Sequence, residues 1–245
     1  MQPIIISEGK VSEIKAKQLA SELSLEFKSL IEVQNIDQMT ALDLYFIVQG
    51  ESQLYLRKGL KKNDIPIFCN FHYWSTIPKS NLLKCMKGLS KECSVIDTTA
   101  GFGRDALELA KVSGSVTLIE KVKWMWALLD DGLKFFSEKN GLLSDKLTLL
   151  YGDSNKYLKN HQLSADVIYL DPMFPNMGSA KAKKNIQALR ELTVEENPDL
   201  LFQNAIKQAK NRVIVKRHRN SGFLGTKKPA YSVEGRVVRF DVYLI

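Results

Sequence analysis

The segment Tyr169-Leu170-Asp171-Pro172-Met173-Phe174-Pro175 holds the residue types in this chain best suited to chemistry. The Asp171 carboxylate and the Pro172 backbone carbonyl could accept the two protons of an exocyclic amine. Such an amine is a poor nucleophile, because its lone pair is delocalised into its ring. Two acceptors would orient the nitrogen and draw electron density toward it as a C–N bond forms. Phe174 could stack on an extruded base, and the prolines would stiffen the turn. A proline-rich strand exit without chemistry is the plain alternative.

Asp171 must be carried by the apolar stretch before it, and earlier stretches have the same form. Val95-Ile96-Asp97 runs into Thr98-Thr99-Ala100-Gly101-Phe102-Gly103-Arg104-Asp105-Ala106. This is a strand, a glycine turn and a helix start, and Ala106 takes the last place of the G-x-G-x-x-G/A pattern. Glycines there let a ligand approach the backbone closely, although a tight βα turn would need them as well. The strand Ser115–Glu120 ends in an acid 17 residues after Gly103, near the spacing at which a carboxylate grips ribose hydroxyls. Lys121 follows it. Lys146–Tyr151 leads into Gly152-Asp153-Ser154, where an acid could accept a bond from an adenine amine. Each acid alone could be a helix cap. Several strands ending alike point instead to a ligand beyond their carboxyl ends.

Between these strands the pattern predicts helices at Arg104–Val112, Trp124–Glu138 and Asn155–Lys159. Further helices are predicted near Lys181–Leu192 and at Asp199–Lys210, with strands at Arg212–Lys216 and Val237–Leu244. Alternation of this kind predicts a doubly wound, mostly parallel α/β sheet of Rossmann-like type over residues 78–245, with Lys79–Leu89 as a leading helix. Residues 1–77 read as a small N-terminal α+β domain. Its elements are a strand at Pro3–Ile6, a helix at Glu13–Leu23 on Ile14, Leu19 and Leu23, and strands at Leu42–Val48 and Gln53–Arg57. A hairpin loop at Gln49-Gly50-Glu51-Ser52 joins the last two, and Ile65–Phe71 reads as extended.

The chain carries 35 basic and 27 acidic residues, and ten Lys/Arg lie between Lys207 and Arg239 with only Glu234 against them. Such a stripe suits a polyanionic partner such as nucleic acid, and a solvated basic face is the alternative. Cys69, Cys85 and Cys93 form no C-x-x-C pair, and His72, His161 and His218 are scattered. Neither a disulfide framework nor a metal centre is expected. No apolar run approaches a membrane span, and no secretory leader is apparent, so a cytoplasmic protein is expected.

Asp171–Phe174 resembles the D/N-P-P-Y/F signature of methyltransferases that act on exocyclic base amines, with Met173 in place of the second proline. The blocks D-T-T-A-G-F-G-R-D-A, L-I-E-K, A-L-L-D-D-G-L, Y-L-D-P-M-F-P, R-V-I-V-K-R and R-F-D-V-Y together resemble one bacterial family, from Val95 to the C-terminus. It is the 16S ribosomal RNA guanine-N2 methyltransferase family that modifies guanosine 1516. The resemblance implies S-adenosylmethionine as cofactor and 16S ribosomal RNA or the small subunit as partner. It also implies cofactor contacts at Arg104, Asp105, Glu120, Lys121, Asp153, Ser154 and Asp171, beside the Asp97, Gly101 and Gly103 of the turn. The family usually has Arg where this chain has Lys121, which keeps the charge and loses the planar fork. Asp130-Asp131 reads as a helix-surface pair. Lys216-Arg217 could meet phosphate or pair with Asp171, and Lys181, Lys183 and Lys184 could hold RNA or face solvent. Adenine-N6 methylation, a non-catalytic RNA-binding assembly factor and a nicotinamide-dependent dehydrogenase are the competing readings.

Overall fold

The short apolar run Ile4-Ile5-Ile6 leaves water by pairing. It forms β1 (Ile4–Ser7), parallel to β2 (Tyr45–Gln49) in the computed structural model. That model describes residues 2–36, 44–59, 66–77, 80–138, 140–159, 163–172 and 197–245. Between these strands lie α1 (Lys10–Leu23) and α2 (Leu30–Gln34). α1 starts at Lys10 rather than Glu13 and buries Ala16, Ala20 and Leu23. Ile14, expected on its inner face, is 78% exposed. The short α2, not expected, is capped by Ser29, whose hydroxyl accepts from Glu32 N while the Glu32 carboxylate accepts from Ser29 N. β3 (Leu54–Lys58) returns antiparallel to β2 through Gly50–Gln53, completing the expected hairpin. Ile4, Ile6, Val33, Phe46 and Val48 form the core here.

Ile65–Phe71 is not a strand among its described residues. Ile67 makes one bridge to Leu56, and Phe71 opens α3 (Phe71–Thr76). The Asn70 side chain accepts from Tyr73 N and starts that helix. A short aromatic run does not reveal its period. The expected helix at Lys79–Leu89 is a 3-10 helix over Asn81–Met86.

From there the chain alternates as expected: β4 (Ser94–Asp97), α4 (Arg104–Ala110), β5 (Ser115–Glu120), α5 (Lys123–Ser137), α6 (Gly141–Ser144), β6 (Leu147–Tyr151), α7 (Ser154–Lys159), β7 (Ala165–Leu170), α8 (Pro198–Gln208), β8 (Ala209–His218), β9 (Tyr231–Glu234) and β10 (Val238–Leu244). The helix read near Lys181–Leu192 and its three lysines lie outside the described residues. The sheet order is β6-β5-β4-β7-β8-β10-β9. β6 to β8 in that order are parallel, and β10 is antiparallel to both neighbours. Ile96, Ile119, Ile168, Leu170, Val213 and Val215 pack on one side with Leu201, Phe202 and Ala205 of α8, as strands covered by helices require. At the far edge Arg239 and Asp241, 6% and 0% exposed, pair at 2.8 Å.

The chain divides into two compact units. One takes the described residues of Met1–Cys69 with Ala127–Phe135; the other begins at Asn70, earlier than a boundary after Ile77, and holds the seven-stranded sheet. Two packing facts account for this. Phe71 stacks near Phe136 and Trp74, with ring centroids 5.5 Å away in both cases, which places α3 with the large sheet. Within the first unit, Asp131 accepts a 2.8 Å bond from Leu54 N, and a Cβ on Gly132 would lie 2.4 Å from the Cys69 Cβ. The glycine of A-L-L-D-D-G-L is therefore a close-approach residue. The surface reading holds for Asp130, paired with Lys134 at 2.6 Å; Asp131 is bound to backbone, and burial pushes its carboxyl up.

Candidate active site

In the sheet order, β4 lies between β5 and β7. The chain leaves β4 toward β5 on one side and reaches β7 on the other, so a crevice opens beyond their carboxyl ends. The turn after β4 is drawn tight around it. Gly101 and Gly103 have φ of 54° and 78°, the left-handed region that suits glycine. Thr98 N and its hydroxyl both donate to Tyr169 O, at 3.0 and 2.9 Å. Asp171 N donates to the Thr99 hydroxyl at 2.7 Å. Two threonines of the glycine turn thus fix where the chain leaves β7.

Asp171 lies beside a partner that is far away in sequence. Lys216 Nζ of β8 donates to Asp171 Oδ2 and to Asp105 Oδ2, each at 2.7 Å. The Tyr169 hydroxyl donates to the same Asp105 oxygen at 2.6 Å. Of the two sequence readings of Lys216, the ion pair holds. Asp97, 1% exposed, accepts from Thr99 N at 3.0 Å. Burial pushes its carboxyl up to about 8, and the charges of Asp105 and Asp171 add to this. Burial would raise Asp105 too, but the Lys216 ammonium and the Tyr169 hydroxyl outweigh it and hold Asp105 below the usual range. Asp171 stays raised, because burial and the Asp105 charge prevail over the same ammonium. The cluster holds three carboxyls against one ammonium.

The other expected residues are arranged around this cluster. Glu120 closes β5, and its two oxygens accept from Gly101 N at 3.0 Å and Val122 N at 2.8 Å. It braces the glycine turn, a role the sequence reading did not include. Lys121 beside it is half-buried. Asp153 accepts from Asn155 N at 2.8 Å and starts α7; the Ser154 hydroxyl donates to Thr98 O at 2.7 Å. Arg104 is exposed and Pro172 buried. Phe174 lies outside the described residues. A cavity of ≈ 330 Å³ opens beside the cluster, lined by Trp74, Arg104, Asp105, Lys216, Arg236 and Phe240 among others.

The family model for SAM-dependent methyltransferases matches residues 34–245. The chain belongs to this family. Relatives named "Ribosomal RNA small subunit methyltransferase J" from Francisella tularensis subsp. novicida and Francisella philomiragia are 31% and 30% identical. Each alignment covers 87% of this chain, and 98% and 97% of the relative. A SAM-dependent methyltransferase of Neisseria gonorrhoeae superposes with a TM-score of 0.67 at 23% identity, over 98% of this chain and 95% of that one, which shows the fold.

As a SAM-dependent methyltransferase the chain uses S-adenosylmethionine, and its own chemistry fits that group. S-adenosylmethionine carries a sulfonium and an ammonium beside one carboxylate, and at this site the carboxyls of Asp105 and Asp171 meet the single ammonium of Lys216. The left-handed turn at Gly101 and the acid at Glu120 stand where the cofactor of a doubly wound sheet lies. Among the described residues no group of three or more His, Cys, Asp or Glu is placed to hold a metal, and no helix is long and apolar enough to cross a membrane. The three cysteines are buried and free; burial pushes Cys85 up to about 12.

Asp97 makes stability depend on pH. In the unfolded chain its carboxyl ionises near the usual 3.8, whereas in the folded chain it keeps its proton up to about 8. The folded state binds the extra proton, so this contribution is complete below the unfolded value and is lost as pH rises through about 8. Between pH 6 and 8 the wild type should lose about 2 kcal/mol relative to Asp97→Asn, since one pKa unit is worth about 1.4 kcal/mol. Urea unfolding of both proteins across that range measures it; parallel curves would remove Asp97 as the cause.

Proposed function

We propose that this methyltransferase acts on the exocyclic N2 amine of a guanosine in small-subunit ribosomal RNA. Guanosine 1516 of 16S RNA is the target that the motif resemblance implies. The observation that carries the reading is Asp171: a carboxylate at the crevice beyond β4 and β7, fixed by Thr99 and Lys216. The small-subunit ribosomal RNA activity in the names of the Francisella relatives agrees with it.

When bound, S-adenosylmethionine supplies a methyl carbon made electrophilic by its sulfonium. The residues of the chain act on the nucleophile. Lys216 holds Asp171 Oδ2, and Oδ1 accepts one N–H of the amine. The Pro172 carbonyl accepts the other, which turns the nitrogen lone pair toward the methyl. As the C–N bond formed, the methyl–sulfur bond would break and leave a neutral thioether; the nitrogen, made cationic, would pass its proton to Asp171. Asp97 and Asp105 would stand toward the positive charge of the cofactor, Glu120 toward its ribose and Asp153 with Ser154 toward its adenine, with Arg104 and Lys121 beside them.

RNA would be held by the exposed part of the basic stripe: Lys207, Lys210, Arg219, Lys227, Lys228 and Arg236. Each phosphate neutralised contributes about 0.7 to 0.9 to the slope of log affinity against log salt. Changing Lys227 and Lys228 to Ala should flatten that slope by about 1 to 2, measured by filter binding at several salt concentrations; an unchanged slope would take these lysines out of the interface. Methyl label from the cofactor should enter purified small subunits and not large ones. Equal labelling of both would set the small-subunit reading aside.

A further inference from the structure

We propose that Lys216 is the residue that selects guanine in this site: with Asp171 it forms an acceptor–acceptor–donor row that matches the Watson–Crick edge of guanine. The inference rests on the guanine-N2 reading above and adds the means of recognition. Lys216 Nζ binds Asp171 through Oδ2, at 2.7 Å. The polar atoms therefore run in the order Oδ1, Oδ2, Nζ. Guanine presents N2–H, N1–H and O6 in sequence, which is donor, donor, acceptor. Oδ1 and Oδ2 would take N2–H and N1–H as a bidentate pair, and the ammonium would donate to O6.

Adenine fails the same comparison. With its N6 amine on Oδ1, its N1 lone pair would face the Oδ2 carboxylate oxygen, and its C2–H would meet the ammonium. Two like-signed or empty contacts replace two hydrogen bonds. Sites built on hydrogen bonding reject analogues that lack the matching group far more strongly than apolar pockets do.

Lys216 is placed for this work. An ammonium has three N–H donors. Two go to Asp105 and Asp171, and among the described residues the third has no partner. The side chain is 23% exposed, and that of Asp171 beside it 31%. Asp105 fixes the ammonium from the other side and is itself held by the Tyr169 hydroxyl, so the donor has a set direction. The titratable and charged groups around Asp171 come from four elements: Asp97 on β4, Asp105 with Arg104 on α4, Tyr169 on β7 and Lys216 on β8. Among them Lys216 favours the ionised Asp171, while burial and Asp105 oppose it.

The test uses small subunits reconstituted with guanine or 2-aminopurine at the methylated position. 2-Aminopurine keeps the reacting amine and lacks N1–H and O6. The wild type should prefer guanine by about 100-fold in kcat/KM, and Lys216→Met should reduce that preference to about tenfold or less. The acid limb of the kcat/KM profile of the variant on guanine should also move to higher pH, because Asp171 loses its ammonium. A merely structural role would move neither. If Lys216→Met does not fold, Lys216→Arg serves instead: its charge leaves the acid limb in place, and its displaced donor lowers the guanine preference. An unchanged preference, or a loss confined to S-adenosylmethionine affinity measured by calorimetry, would overturn the role of Lys216 alone. Wild-type label outside guanosine would overturn the guanine reading with it.

Discussion

Asp171→Asn should lower kcat by about 1,000-fold while changing S-adenosylmethionine affinity by no more than about tenfold. The asparagine keeps the shape of the side chain, and its amide oxygen can still meet the amine. What it loses is the negative charge that draws density toward nitrogen and then accepts its proton. Removing one preorganised acceptor or donor at a reacting centre costs about 100- to 1,000-fold, and here the ion pair with Lys216 is lost too. Lys216 remains bound to Asp105, so the crevice should keep its form. Single-turnover methyl transfer and calorimetric titration with the cofactor separate the two quantities. Full turnover with normal affinity would remove Asp171 from the chemistry.

Arg239→Met should destabilise the protein by about 3–5 kcal/mol, the usual cost of leaving a buried charge without its partner. Asp241 is fully buried, and Arg239 contacts both of its oxygens, at 2.8 and 3.1 Å. Without the guanidinium, the Ser232 hydroxyl at 2.6 Å remains on Asp241, and the carbonyls of Arg219 and Ser221 lose a donor. Changing both residues to apolar ones of similar volume should recover part of the loss. The exposed Lys228→Ala should change stability by less than about 0.5 kcal/mol. Chemical unfolding compares them, and a loss below about 1 kcal/mol for Arg239→Met would mean that the pair matters little.

That pair shows what the sequence could not disclose. Arg239 and Arg212 counted toward a basic stripe, yet both are buried, Arg212 with its guanidinium on Cys85 O at 2.7 Å. A charge count is blind to burial, because the partners lie across strands: Cys85 stands 127 positions from Arg212. The same distance hides the Lys216 bridge, 111 positions from Asp105 and 45 from Asp171. Local pattern did reveal β4 to β8. Each is an apolar run long enough to be read, and those at β4, β5, β6 and β7 stop at polar turn residues, as strands feeding a crevice do. β9 was not legible: Tyr231-Ser232-Val233-Glu234 is short, half-buried or exposed, and sits on the sheet edge, so its register comes from β10. The acids were legible as ends of strands, with a helix cap as the alternative for each, and Asp153 does start α7. The bond by which Glu120 braces Gly101 was not legible, because no side-chain spacing announces it.

The most direct measurement is the identity of the methylated nucleoside. Small ribosomal subunits from cells lacking the corresponding gene are incubated with the purified protein and methyl-labelled S-adenosylmethionine, and the RNA is digested and separated. Label in N2-methylguanosine, absent when Asp171→Asn replaces the wild type, is the expected result. Label in N6-methyladenosine, or no label from a protein that binds the cofactor, would contradict it.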